Sequence, residues 1–150
     1  MKSILIRGAK NSGKSTTIQA VCENLNPKKV YMLSDDLIES EIENIFNHTF
    51  IIEVNGKLIL IVAGTPTEQD WKITDIYKHC QKLNLDIHFL IVAMRTFEKK
   101  DGFNTLKELE KISSIVLKEE ITRIPGANFK KTKEWKDRIE RIVNVVKNNL

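Results

Sequence analysis

Residues 4–16 read Ile-Leu-Ile-Arg-Gly-Ala-Lys-Asn-Ser-Gly-Lys-Ser-Thr, and this stretch decides how the rest of the chain can be arranged. An apolar run typical of a buried strand comes first, and a segment with apolar residues at helical spacing follows. Between them, Gly8 allows the chain to leave the strand in a tight turn, and Gly13 allows the backbone to close on a ligand. We expect the amides from Asn11 to Lys14 to point into one concavity at the positive end of the helix. The stretch therefore predicts an anion-binding loop.

The segment from Gly8 to Ser15 also fits the pattern G-x-x-x-x-G-K-[ST], so the chain resembles the P-loop NTPases, whose Walker A motif has this spacing. The resemblance implies that Lys14 is catalytic and reaches the β- and γ-phosphates, and that the Ser15 hydroxyl is a ligand of Mg²⁺. The nucleotide-binding residues that it implies in this loop are Gly8, Ala9, Lys10, Asn11, Ser12, Gly13, Lys14, Ser15 and Thr16. The alternative is an ordinary glycine-containing turn between a strand and a helix.

Length and composition indicate an ordinary globular chain. The 150 residues are 41% hydrophobic and 29% charged, and no linker is evident, so we expect one nucleotide-binding domain over residues 1–150. No apolar run approaches the ~20 residues that span a bilayer, and the N-terminus runs directly into the first strand, without room for a signal peptide. Cys22 and Cys80 lack the spacing of a metal site, and we expect both to be reduced and buried. Together these features favour a cytoplasmic protein without membrane contact.

The apolar patterns alternate between strand and helix along the chain. The expected strands cover residues 2–7, 30–33, 49–54, 57–63, 87–94 and 119–124. The expected helices cover residues 14–25, 35–46, 67–83, 104–117 and 132–149, the third of them opened by a capping box of Thr67 and Asp70. Asn55-Gly56 between two β-branched runs predicts a hairpin. We therefore expect a three-layer α/β/α fold with a mostly parallel sheet and one antiparallel hairpin strand.

In such a sheet, ligands bind outside the carboxyl ends of the strands, which points to residues 8–15, 34–36, 63–67 and 95–101. The acid that usually helps to hold Mg²⁺ is missing, because the strand 57–63 runs into Gly64-Thr65-Pro66 without a carboxylate. Thr65 is the candidate to hold a metal-bound water, and the alternative is that it supports its own turn. Glu68 or Asp70 could replace the acid, although both are also explained as favourable charges in the first turn of a helix.

Asp35 and Asp36 follow the second strand, in a stretch that resembles the corresponding segment of polynucleotide-kinase and zeta-toxin type enzymes. The resemblance implies that one of them is the general base that activates an acceptor hydroxyl, and that Asp36 is a partner of Mg²⁺. The alternative is that both are helix-dipole acids after a Ser34 cap. The hairpin at Asn55-Gly56 is not part of the pattern of these kinases.

The hairpin and Asn11 instead resemble a branch of the translation-factor-class GTPases, with the loop G-x-x-N-x-G-K-S. The guanine-reading sequence N-K-x-D is missing, since residues 93–96 read Ala-Met-Arg-Thr, and we therefore expect ATP rather than GTP. Arg95 follows a central strand, and a role on adenine or over the phosphates is expected for it, unless it is a solvated loop residue.

Three functions remain open: hydrolysis coupled to an unidentified protein partner, transfer of the γ-phosphate to a nucleotide, a polynucleotide or another small hydroxyl acceptor, and nucleotide sensing without hydrolysis. The combination of the loop, the hairpin and a late A-x-R-T resembles a group of small stand-alone P-loop proteins, which supports the fold and leaves the activity open. Nucleic-acid binding has weak support, because Trp135 lies on the buried face of its helix beside the basic cluster of Lys130, Lys131 and Lys133. The oligomeric state is open.

Overall fold

The structure is a computed structural model that describes residues 1–150, and it has an α/β fold with a seven-stranded mixed sheet and five α-helices. The strands are β1 (Lys2–Gly8), β2 (Lys29–Leu33), β3 (Leu37–Ser40), β4 (Thr49–Val54), β5 (Lys57–Val62), β6 (Ile87–Arg95) and β7 (Ser114–Glu120). The helices are α1 (Lys14–Leu25), α2 (Pro66–Gln69), α3 (Ile73–Lys82), α4 (Thr105–Ile112) and α5 (Lys133–Asn148), and short 3₁₀ turns cover Ile42–Asn44 and Phe129–Lys131. None of the helices combines the length and the apolar character that crossing a bilayer requires.

The strand order in the sheet is β3-β2-β4-β5-β6-β1-β7. Strand β1 pairs in parallel with β6 and β7, and β5 pairs in parallel with β6. Strand β2 is antiparallel to β3 and to β4, and β4 is antiparallel to β5. Two strands, β3 and β4, therefore run against the other five. The sheet was predicted to contain one antiparallel strand, but it contains two, and β3 is the one that was not expected.

Both faces of the sheet are covered by apolar side chains. On β1, Ile4 and Ile6 belong to a cluster of 23 buried residues that includes α1 and α5, whereas Leu5 belongs to a cluster of 13 that includes α3 and α4. This alternation is the two-residue period of a strand that is buried on both faces. The stretch Leu58–Ala63 was predicted to lie inside the sheet, and β5 does so between β4 and β6. The prediction for α1 and for the hairpin at Asn55-Gly56 is also confirmed.

The helix predicted from Asp35 to Phe46 is wrong. The chain turns back after β2 and adds β3 as an antiparallel edge strand, with Leu33 opposite Leu37. The apolar spacing resembled a helix face, but two of its four residues are exposed, Ile38 to 49% and Phe46 to 46%, and only Ile45 is fully buried. Pairing with the open edge of β2 satisfies the backbone of this segment instead.

Two other boundaries differ from the expectation. Residues 104–117 were predicted to be helical and residues 119–124 to be a strand. Instead, helix α4 ends at Ile112, and β7 begins at Ser114 and pairs with the outer edge of β1. The capping box of Thr67 and Asp70 is absent. Thr65 caps the short helix α2 by accepting a hydrogen bond from the amide of Glu68, and Asp70 ends that helix with φ 53°. The single helix predicted over residues 67–83 is therefore two helices, α2 and α3, separated by the non-helical residues 70–72.

The cysteines are where they were expected. Cys22 and Cys80 are free thiols with no exposed surface. Burial raises the pKa of Cys80 to about 12 and raises the pKa of Cys22 further. Neither thiol is a candidate nucleophile, since the reactive form of cysteine is the thiolate.

Candidate functional site

The segment between β1 and α1 is a compact loop with two residues in the left-handed region, Asn11 at φ 62° and Gly13 at φ 96°. The amide of Ser12 donates to the carbonyl of Ala9 over 3.2 Å and closes a turn inside the loop. A Cβ at Gly8 would clash with Ser12 Oγ and would lie 2.8 Å from the carbonyl oxygen of Ile121, so the turn after β1 requires glycine.

The loop leaves a row of backbone amides without a partner. The first hydrogen bond of α1 runs from the amide of Thr17 to the carbonyl of Gly13 over 2.9 Å. The amides of Gly13, Lys14, Ser15 and Thr16 donate to no acceptor in the protein. Unpaired amides at the start of a helix, together with the helix dipole, favour an anion at this position.

Lys14 is the only buried lysine of the chain, with 7% of its surface exposed. Its Nζ donates to the carbonyl oxygens of Gly8 over 3.0 Å and of Ala9 over 2.8 Å, which holds the ammonium group within the loop. Burial lowers the pKa of Lys14, while the negative charge of Glu68 raises it and the positive charge of Arg95 lowers it. The loop thus keeps a cation at a cost in solvation, next to free amides.

Ser15 connects the loop to the end of β5. Its hydroxyl donates to the carbonyl of Ala63 over 2.9 Å, and its Oγ lies 3.2 Å from Asn47 Oδ1 and 3.4 Å from the amide of Asn47. Sequence reasoning missed Asn47, which belongs to no motif. The only local signal is its residue type at a left-handed φ of 52°, and its position beside Ser15 results from the fold.

Glu68 and Arg95 form an ion pair between the ends of β5 and β6. Arg95 Nε and Nη2 both lie 3.1 Å from Glu68 Oε1. The side chain of Arg95 is 32% exposed and that of Glu68 is 39% exposed. Thr65 is 1% exposed, and its Oγ1 lies 3.3 Å from both the amide of Glu68 and the hydroxyl of Thr67. Its hydroxyl is therefore already engaged in the cap of α2.

These groups surround one cavity of about 450 Å³, called the loop cavity below. It is lined by Lys10, Asn11, Gly13, Lys14, Ser15, Thr16, Phe46, Asn47, Ala63, Thr65, Glu68 and Arg95. Most of the residues predicted from the sequence are thus brought together, including Thr65 and Arg95 from distant segments. Gly8 and Ala9 contribute their carbonyls to Lys14, and Ser12 lies on the other side of the loop. Glu68 is the one acidic residue in the lining.

Asp35 and Asp36 are not among the residues of the loop cavity. They lie in the turn between β2 and β3, where the amide of Ser34 donates to the carbonyl of Asp36 over 3.0 Å. Both are exposed, and neither carboxylate makes a hydrogen bond or an ion pair. Strands β4, β5 and β6 separate β2 from β1, a distance of roughly 19 Å at the usual strand spacing. The structure does not bring these two acids to the loop.

A second cavity, of about 480 Å³, lies at the edge of β2 and β3 and contains no residue of the loop. Its charged residues are all exposed, and it lacks a buried cation such as Lys14 of the loop cavity. No family model, curated protein or solved structure matches the chain.

Proposed function

We propose that this protein has the three-layer α/β/α fold of a P-loop NTPase, binds the Mg²⁺ complex of a nucleoside triphosphate, preferably ATP, and hydrolyses it slowly. The observation that carries the proposal is the buried ammonium group of Lys14 beside the four unpaired amides of Gly13–Thr16. A cation and a row of donors in one concavity are complementary to a chain of phosphates.

Three cationic side chains, of Lys10, Lys14 and Arg95, line the loop cavity, against one acid, Glu68. A triphosphate would replace the carbonyls of Gly8 and Ala9 as acceptors for Lys14. Hydrogen bonds between an ammonium group and a phosphate are charge-assisted and stronger than those to neutral carbonyls, so this exchange favours binding. Arg95 lies where it can compensate charge on the far side of the phosphates.

The residues present fit a Mg²⁺ ion. Mg²⁺ prefers oxygen ligands and is commonly bound by a few protein oxygens together with phosphates and waters. Ser15 Oγ is the protein ligand that we propose, because its hydrogen is donated to Ala63, the amide of Asn47 takes one of its two lone pairs, and the other stays available. Asn47 Oδ1, 3.2 Å from Ser15 Oγ, adds a second oxygen beside it. Thr65 is less suitable, since it is 1% exposed and its hydroxyl is held by both the amide of Glu68 and the hydroxyl of Thr67. When bound, the ion would neutralise negative charge on the phosphates.

Hydrolysis is preferred to phosphoryl transfer because of where the acids lie. Glu68 lines the loop cavity, and its carboxylate can hold and polarise a water molecule there. Asp35 and Asp36, the proposed bases of a kinase, face solvent at another part of the sheet.

Nucleotide sensing is the second candidate, because Arg95 occupies Glu68 Oε1 with two hydrogen bonds. The two reduced, buried cysteines fit a reducing compartment, and we place the protein in the cytoplasm.

The test follows ATP and GTP labelled in the γ-phosphate, with Mg²⁺, and scores free phosphate against label in nucleosides and 5′-hydroxyl oligonucleotides. We expect free phosphate, more from ATP than from GTP, and no labelled acceptor. Lys14→Met serves as the blank, and Lys10→Met removes a charge from the rim of the same cavity as the matched control. We expect the first variant to lose binding by about 10- to 100-fold and the second to keep it within a few-fold.

The other outcomes separate the candidates. Label in an acceptor would support the kinase and direct attention to Asp35 and Asp36. Tight binding without release of phosphate would support the sensor. If Lys14→Met binds ATP as tightly as the parent protein, the phosphate site itself is wrong and all three functions fail.

A further inference from the structure

The loop separates two cavities. On the side away from Glu68 lies a smaller one, of about 210 Å³, which we call the aromatic cavity. It is lined by Asn11, Ser12, Gly13, Thr16, Arg123, Ile124, Gly126, Phe129, Trp135 and Arg138. Three of these residues, Asn11, Gly13 and Thr16, also line the loop cavity, so the two spaces adjoin across the start of α1. A ligand longer than its phosphates can extend from one to the other.

We propose that the aromatic cavity binds the purine base of the nucleotide whose phosphates lie in the loop cavity, with Arg123 and Phe129 in contact with the ring. This assignment rests on the proposed function and adds the part of the ligand that the phosphate site does not define. It also moves the base away from Arg95, which sequence reasoning connected to adenine and which is paired with Glu68 in the loop cavity.

The wall of the aromatic cavity is already formed. Phe129 and Trp135 pack edge to face, with ring centroids 5.2 Å apart at 86°. The guanidinium of Arg138 lies 5.8 Å from the centroid of the Trp135 ring and donates to the carbonyl of Thr122 over 2.8 Å and to Thr17 Oγ1 over 3.3 Å. These contacts fix the cavity before a ligand enters, which lowers the entropic cost of binding a flat ring.

Two polar groups in the lining lack partners. Arg123 is exposed and makes no hydrogen bond or ion pair, so its planar guanidinium is free to stack on a base. Ser12 is 5% exposed, and its hydroxyl has no hydrogen-bond partner. Its Oγ has almost no exposed surface and lies beside Gly8, so Arg123 is the unpartnered group that a ligand in this cavity can reach.

The lining offers donors from two arginines and contains no carboxylate. Both purines present ring nitrogens that accept hydrogen bonds, and guanine also presents O6. The aromatic cavity therefore matches either purine, and the preference for ATP rests on the absence of N-K-x-D from the sequence.

The test uses the two tryptophans of the chain. Trp71→Phe leaves Trp135, in the aromatic cavity, as the sole reporter, and Trp135→Phe leaves Trp71 as the matched control. Each protein is titrated with Mg²⁺–ATP and with Mg²⁺–tripolyphosphate, which has phosphates and no base, and calorimetry measures both affinities. We expect the emission of Trp135 to respond to ATP much more than to tripolyphosphate, and the emission of Trp71 to respond equally to both.

A substitution gives the second readout. Arg123→Ala should raise the dissociation constant of ATP about two- to fivefold and leave that of tripolyphosphate unchanged. Lys133→Ala removes an equivalent charge from an exposed position nearby and should change neither. Equal responses of Trp135 to the two ligands, or an unchanged ATP affinity in Arg123→Ala, would overturn the base assignment while the phosphate site stands. If neither ligand binds, the proposed function fails together with it.

Discussion

Two turns follow strands that run in the same direction, and they differ in what they leave free. After β1, the chain crosses through Gly8–Ser15 to a helix and leaves the four consecutive amides of Gly13–Thr16 without acceptors. After β2, the segment Ser34–Asp36 returns at once into an antiparallel strand, and pairing of Leu33 with Leu37 continues the hydrogen bonds of the sheet. A direct return closes the end of a strand, whereas a crossover to a helix opens it to a ligand.

The two turns also differ in whether their charged side chains are buried. The loop after β1 buries Lys14 against its own carbonyls, while the turn after β2 exposes Asp35 and Asp36 to water without partners. Burial makes the charge of Lys14 available to a ligand at close range, and exposure screens the charge of the two acids. A strand end therefore becomes a site where the backbone is unsatisfied and the charge is desolvated.

The largest effect is expected from closing the first turn. Gly8→Ala should cost about 1–3 kcal/mol of the free energy of unfolding and abolish ATP binding, because the added methyl group meets Ser12 and the carbonyl of Ile121. Chemical denaturation and calorimetry measure both. The control is Gly56→Ala at the hairpin, which has φ 75° and open space, and which should lose about 1 kcal/mol and keep ATP binding. Normal ATP binding by Gly8→Ala would contradict the geometry of the loop.

The next effect concerns the acid that does line the loop cavity. Glu68→Gln keeps the shape of the side chain and removes the charge that can hold a water, so the rate of hydrolysis should fall about 100-fold with ATP affinity little changed. Asp70→Asn is the matched control in the same connection, since Asp70 is paired with Lys100 outside the cavity. Steady-state release of phosphate measures both variants. Equal losses in the two would remove Glu68 from the mechanism.

A smaller effect tests whether the loop holds its charge at a cost. Burial lowers the pKa of Lys14 from its usual 10.5. Between the lowered value and 10.5 the unfolded chain binds more protons, so the contribution of Lys14 to the free energy of unfolding is least favourable below this window and improves as pH rises through it. The slope cannot exceed about 1.4 kcal/mol per pH unit for one group.

The measurement compares urea unfolding of the parent protein and Lys14→Met from pH 7 to 10.5, without nucleotide. We expect the free energy of unfolding of Lys14→Met, relative to that of the parent protein, to be highest at pH 7 and to decrease as pH rises. The buried cysteines contribute equally to both proteins and cancel in the difference. A difference that does not vary with pH would show that Lys14 keeps its ordinary pKa.

The smallest effect is expected at the second turn. Asp35→Ala and Asp36→Ala should each leave ATP affinity and the release of phosphate within about twofold, because these exposed side chains make no hydrogen bond or ion pair. The same labelled-ATP assay measures this. Loss of turnover in either variant would show that the second turn also takes part in catalysis, and it would favour the kinase over the hydrolase.

The sequence predicts the first turn well because its requirements are local. Gly8, Gly13 and Lys14 lie within seven residues, and the strand and helix around them carry their own apolar periodicity. The second turn fails because its structure is decided from outside. Nothing between Asp35 and Phe46 shows that β2 has an open edge, and pairing with that edge overrides a weak helical pattern.

The same reason limits the prediction of the candidate site. Thr65 and Arg95 were expected there because they follow strands, and both line the loop cavity. Asn47 could not be found, since it reaches Ser15 only when β4 and β5 pair. The aromatic cavity was missed because β7 was predicted too late in the chain, which displaced the segment that carries Arg123 and Phe129.

The most direct measurement follows the backbone amides of the two turns by nuclear magnetic resonance while Mg²⁺–ATP is added. We predict large shifts for the amides of Gly13, Lys14, Ser15 and Thr16, which acquire acceptors, and none for Ser34–Asp36. A saturable response confined to the first turn would establish it as the phosphate site. Shifts at Ser34–Asp36 with an unchanged loop, or no shifts at either turn, would contradict the account.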